Sequence, residues 1–175
     1  MNLDKHALVL IDLQRRIVAR ETHPYPAADV VARAARLAAA FRRAGQLVIA
    51  VRAVNADVPD PAGDQYVDEL AFVANDLLVT KHSWGAFYGT SLDWHLRRKG
   101  ATGIVLAGLM TNFGVESTAR AANDLGYGLV FAEDAMASVS DSAHAFAVES
   151  IFPRLGTVAS TEAIIVALLG ETAAR

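Results

Sequence analysis

Six short apolar runs recur along this chain, each separated from the next by a longer segment, and that rhythm constrains the fold more than any other feature. Ala7-Leu-Val-Leu-Ile11, Leu47-Val-Ile-Ala-Val51, Leu77-Leu-Val-Thr80, Gly103 to Ala107, Leu129-Val-Phe-Ala132 and Thr157 to Ala159 read as strands. The runs are continuous, not alternating, as in strands covered on both faces. Between and after them, Asp29 to Ala44, Ser91 to Lys99, Val115 to Leu125, Ser142 to Ile151 and Thr161 to Leu169 read as helices, with Gly45 and Gly126 just past two of their ends. The fold expected is α/β: a three-layer α/β/α sandwich around a six-stranded, mostly parallel, doubly wound, Rossmann-like sheet. Asn55 to Asp76, with Pro59, Pro61 and Gly63, reads as a long loop with one short helical piece at Tyr66 to Phe72. Such loops in compact domains are more often functional than idle.

The length of 175 residues fits one domain spanning 1–175. A hydrophobic fraction of 53% against 20% charged residues argues against disorder and for a thick core or a buried subunit interface. The alanine-rich stretch Ala27 to Ala40 and the segment Ala135 to Ala147 offer small apolar surface, so a homo-oligomer, a dimer or higher, is expected. With a net charge of −3 and no long basic run, nucleic acid is not an expected partner. Arg42-Arg43 and Arg97-Arg98-Lys99 precede Gly45 and Gly100, where cations suit a helix C-terminus. No secretory signal is visible at the polar start, and charges interrupt the apolar segments, so a cytoplasmic protein without membrane contact is expected. The chain has no cysteine, which removes disulfides and thiolate metal sites.

In doubly wound sheets ligands sit beyond the carboxyl ends of the strands. That rule selects Asp12 after the first strand, Arg52 after the second, Lys81 after the third and the Leu109 to Gly114 segment after the fourth. A partly buried carboxylate beside a lysine can keep each group charged and poised. Arg52 suits either an anionic substrate or a structural ion pair. Gly114 falls where a strand turns into a helix, and amides at such a start can stabilise an anion. Dinucleotide, phosphate-loop and serine-hydrolase signatures are all missing. The histidines are scattered, and Asp93 and His95, two apart on a predicted helix, point to different sides. No metal and no cofactor are expected.

Leu8-Val-Leu-Ile-Asp-Leu-Gln14, Lys81 with Ser83-Trp-Gly-Ala-Phe87, Gly108 to Arg120, and Gly126-Tyr127 to Ala135 together resemble the isochorismatase-like hydrolases, or cysteine hydrolase superfamily. The resemblance covers nearly the whole chain, in order. It implies a catalytic trio of Asp, Lys and Cys, matched here by Asp12, Lys81 and Gly114, so the nucleophile position carries glycine. It also implies a non-proline cis peptide at Leu109-Met110, with the amides of Met110 and Gly114 as an oxyanion hole. Candidate substrate contacts are Gln14, Arg52, Trp84, Phe87, Thr111 and Asn112. Family amidases attack a carbonyl with the thiolate, a route closed to this chain. Isochorismatases carry glycine at that position and cleave a vinyl ether without a covalent intermediate. The implied activity is a cysteine-independent hydrolase of a small anionic molecule, assisted by Asp12. A non-catalytic binding or scaffolding oligomer is the alternative, and Thr111 or Ser117 as a replacement nucleophile is a further route.

Overall fold

The computed structural model describes residues 1–55 and 57–173, so position 56 of the predicted loop and the last two positions of the chain lie outside the described residues. Strands β1 (His6–Ile11), β2 (Val48–Ala53), β3 (Leu77–Lys81), β4 (Gly103–Leu109), β5 (Gly128–Ala137) and β6 (Thr157–Ala159) form one sheet in the order β3-β2-β1-β4-β5-β6. Every neighbouring pair is parallel. Helices α1 (Arg15–Val18), α2 (Ala27–Arg43), α3 (Leu92–Arg98), α4 (Glu116–Asp124), α5 (Asp141–Phe146), α6 (Phe152–Leu155) and α7 (Thr161–Ala173) surround it. The chain order reverses between β1 and β4, so a crevice opens beyond their carboxyl ends.

The continuous apolar runs feed two cores at once, because successive side chains of a strand point to opposite faces. Leu8 and Leu10 of β1 join Val105, Ala107 and Leu109 of β4 against α2 and α7. Ala7, Val9 and Ile11 join Ile104 and Leu106 against α3, α4 and α6. The alanine-rich helix α2 spends Ala27, Ala34, Ala38 and Ala40 on the first of these cores. Much of the small apolar surface expected to be available for association is therefore already used, since small residues let a helix sit close on the sheet.

Two segments depart from their predicted limits for visible reasons. β5 continues past Ala132 to Ala137, across Glu133 and Asp134, whose polarity interrupts the apolar pattern. Its register with β4 slips between Leu106↔Phe131 and Gly108↔Met136, and the extra residues bulge outward. The bulge is used: Asp134 Oδ1 accepts hydrogen bonds from Thr161 N at 2.6 Å and Thr161 Oγ1 at 2.8 Å, fixing the start of α7. The predicted helix Ser142 to Ile151 is instead α5, a π-turn at Ala147–Ile151, and then α6.

Among its described residues the predicted loop before β3 contains a 3₁₀ turn at Asp68–Leu70 and an isolated bridge from Tyr66 to Gln14, and it is tied down by ion pairs. Arg16 reaches Asp64 at 2.6 Å and Arg42 reaches Asp76 at 2.7 Å. Tyr66 donates its hydroxyl to the Ala50 carbonyl at 3.0 Å, beneath the ends of the strands.

Candidate active site

Asp12 leaves β1 with φ +55°, a left-handed conformation uncommon outside glycine, asparagine and aspartate. The turn is possible because β4 comes very close. Gly108, the register partner of Ile11, has φ +121°, and a Cβ there would stand 2.1 Å from the Ile11 carbonyl oxygen. Any other residue would push the two central strands apart where Asp12 departs.

Lys81 ends β3, two strands away from β1, so its side chain spans roughly twice the usual strand spacing of about 4.8 Å. Its register partner on the intervening strand is Ala53, small enough for the lysine stem to pass. Lys81 Nζ lies 2.8 Å from Asp12 Oδ2 and donates to the Trp84 carbonyl at 2.6 Å. The lysine is 1% exposed, which makes this a desolvated pair in which each charge depends on the other.

Burial pushes the Asp12 carboxyl up to about 6, against the opposing pull of the Lys81 ammonium and, more weakly, of Arg16. Its other oxygen, Oδ1, is buried with no hydrogen-bond partner among the described residues. The nearby Ala53 amide donates to Gln14 Oε1, at 2.8 Å, and gives Asp12 only the weakest of the pulls that lower it. Buried carboxylate oxygens are normally satisfied, so Oδ1 is the oxygen on which the neutral acid would hold its proton.

Gly114 completes this floor. It sits in the π-turn Thr111–Val115 that leads into α4, and a Cβ on it would lie 3.0 Å from Asp12 Oδ2, from Lys81 Nζ and from Ile11 Cγ2. The carboxylate and the ammonium thus both close on the position of the missing side chain. The Leu109–Met110 peptide is cis, as the resemblance implies. Above the floor is a cavity of about 310 Å³, walled by Ile17, Leu109, Met110 and Phe113. Trp84 stands at its mouth, 65% exposed, with its ring centroid 5.0 Å from that of Phe113.

The sequence-selected residues divide in two. Asp12, Lys81, Met110, Gly114 and Trp84 share this cavity; Gln14, Arg52, Phe87, Thr111 and Asn112 are not on its wall. The Gln14 amide is buried, donating to the Ala53 and Asp64 carbonyls at 3.0 and 3.2 Å. Arg52 donates to Thr80 Oγ1 at 3.1 Å. Phe87 packs on Tyr127, and Asn112 accepts from the Ser138 hydroxyl. Asp93, of the rejected metal pair, hydrogen-bonds to Arg97 and Tyr127.

Thr111 is fully buried, with its hydroxyl 2.9 Å from His144 Nδ1. A hydroxyl beside an imidazole is the pattern of an activated nucleophile, but neither Thr111 nor His144 lines the cavity. Burial holds His144 below the usual histidine range, which suits a neutral ring bonding the start of the π-turn. Reading along the chain does not reveal the pair, because 33 residues separate its members. Arg20 and Phe113 on the cavity wall were also missed. Arg20 follows the short helix α1, whose proximity to the site depends on how the chain turns after Asp12.

A larger cavity, about 590 Å³, opens at the opposite end of the sheet among Lys5, His6, Arg42, Gln46 and Lys99. It lies beyond the amino ends of the strands, where doubly wound sheets do not usually place their chemistry.

A family model described as the isochorismatase domain matches residues 6–163. YecD, an uncharacterized isochorismatase family protein of Escherichia coli O157:H7, is 42% identical over 185 residues, covering 96% of this chain and 98% of its own. The structure of an isochorismatase family protein from Burkholderia thailandensis is similar with a TM-score of 0.90 and 43% identity, over 94% of this chain and 96% of that one. N-carbamoylsarcosine amidase from Thermoplasma acidophilum has a TM-score of 0.79 at 27% identity, over 93% and 98%. Sheet order, the cavity at the carboxyl ends of β1 and β4, and these matches lead to one conclusion: the chain belongs to the isochorismatase family of hydrolases.

Proposed function

We propose that this chain hydrolyses a small anionic molecule without a covalent intermediate, with Asp12 as the acid, and that its bond type is a vinyl ether. The carrying observation is the desolvated Asp12–Lys81 pair at 2.8 Å beside a glycine that bears no nucleophile. A chain without cysteine has no thiolate with which to form an acyl-enzyme, so the reading does not transfer amide hydrolysis from the amidase it resembles.

In the proposed step the carboxyl proton of Asp12 passes to the terminal carbon of the enol ether, and the carbon bonded to oxygen becomes an oxocarbenium centre. Water adds to that centre and returns a proton to Asp12. The resulting hemiketal then collapses to an alcohol and a ketone, so one water is consumed overall. Lys81 stabilises the carboxylate left by the first transfer, and the amides of Met110 and Gly114 are the candidate donors to the developing alkoxide.

The test is a panel of vinyl ethers, amides and esters assayed with wild type and Asp12→Asn. Turnover of vinyl ethers that falls about 10²- to 10⁴-fold in the variant is expected. Undiminished turnover removes Asp12 from the mechanism. Binding without turnover across the panel makes the chain a binding or scaffolding protein instead. We also propose that the chain works in the cytoplasm as a homo-oligomer; the apolar side chains of Val139 and Phe146, 50% and 61% exposed, support the association.

A further inference from the structure

Arg20 borders the same cavity as Asp12 and Lys81, and its side chain is solvent-exposed at the rim. Its neighbours are all committed. Arg15 pairs with Asp68 at 3.1 Å, and Arg16 pairs with Asp64. Glu21, next in the chain, turns to His23 at 3.6 Å. Lys81, the other cation of the cavity, is spent on Asp12 and on the Trp84 carbonyl. Among the described residues no carboxylate pairs with Arg20.

The rest of the cavity reinforces this asymmetry. Ile17, Leu109, Phe113 and the Trp84 ring make its walls apolar, and at its floor Asp12 Oδ1 is buried without a hydrogen-bond partner among the described residues. A site of this kind has a cation at its mouth, an apolar middle and an unsatisfied carboxylate oxygen at its base. We infer that Arg20 anchors a substrate carboxylate, so that the ligand class is a small, planar-bodied carboxylic acid whose uncharged reactive end faces Asp12.

A guanidinium presents parallel N–H donors that match a carboxylate in two bonds. One uncommitted cation suits a monoanion better than a phosphate dianion. The volume of about 310 Å³ is at the small end of ligand sites. Arg20 therefore sets orientation: with the carboxylate held at the rim, the apolar body lies along Trp84 and Phe113 and the far end meets the acid.

The inference rests on the reading of this cavity as the active site but not on the bond broken there. Its test is calorimetric or NMR titration of matched probes, benzoate against benzamide and trans-cinnamate against cinnamamide, with wild type, Arg20→Gln and Arg20→Lys. In wild type each acid should bind about tenfold or more tighter than its amide, the scale of a charge-assisted pair. Arg20→Gln should erase that preference while leaving amide binding unchanged, and Arg20→Lys should restore part of it. An acid that binds no better than its amide, or a preference that survives Arg20→Gln, overturns the inference. Asp12-dependent turnover of a carboxylate-bearing vinyl ether, with kcat/KM untouched by Arg20→Gln, would overturn it while sparing the hydrolase reading. Arg20-dependent acid binding with no turnover would do the reverse.

Discussion

Gly114 and Asp12 together decide which chemistry this site can perform. With only a hydrogen at position 114, the Asp12–Lys81 pair comes within 3.0 Å of where a side chain would begin, and the nucleophile's place is partly taken by the charges themselves. What remains reactive is the carboxyl, whose affinity for protons burial raises to about 6. The proposed mechanism needs the protonated form, so the sign follows directly. Below about pH 6 Asp12 holds its proton and kcat/KM is level; above it the proton is lost and kcat/KM falls, approaching tenfold per unit. A pH–rate profile on a vinyl ether whose own charge is constant over the range checks this. A rate that climbs through the same range would assign Asp12 the role of base.

At the scale of elements, the segment after β1 is joined to the end of β2 and to the long loop by two side chains, Gln14 and Arg16. The buried Gln14 accepts from the Ala53 amide and donates to the Ala53 and Asp64 carbonyls. Gln14→Ala removes these bonds and leaves the Ala53 amide without its partner. A loss of about 2–4 kcal/mol in unfolding free energy is expected, from several buried bonds at about 1 kcal/mol each plus the unpaired group. Urea denaturation measures it, and hydrogen exchange should show faster opening of Gly63 to Tyr66 than of β4. Equal protection in variant and wild type would mean that the Arg16–Asp64 ion pair and the backbone bonds from Arg15 and Arg16 to Gln65 and Gly63 suffice to hold the loop. Gln14 was legible as a residue beside the site, but its work is structural. A glutamine after a strand looks the same in sequence whether its amide meets a ligand or a carbonyl.

For the whole molecule, the question is how it meets copies of itself. The sheet is covered on both faces, and α2 has given much of its alanine surface to one core. Exposed apolar side chains remain at Val139, just before α5, at Phe146, which ends it, and at Trp84 and Tyr88 after β3. Exposed groups of this size often mark contact surfaces. Sedimentation velocity is expected to give a dimer or larger species, and Phe146→Asp should shift it toward monomer. A wild-type chain that sediments as monomer across the micromolar range contradicts the proposal.

The central strands and their parallel arrangement were determined by the sequence alone, because a run of apolar residues buried on both faces has few other uses; β3 and β6, at the edges of the sheet, are partly exposed. The same holds for Asp12 and Lys81: charges at the ends of such runs are exposed to the crevice by topology. Tertiary structure alone decided the rest. It carried Lys81 across β2 to reach Asp12, brought Arg20 to the rim, and turned Thr111 toward His144, 33 residues away. These are contacts between segments distant along the chain, set by strand order and by the close approach of β1 and β4 at Gly108. Local pattern carries no record of either.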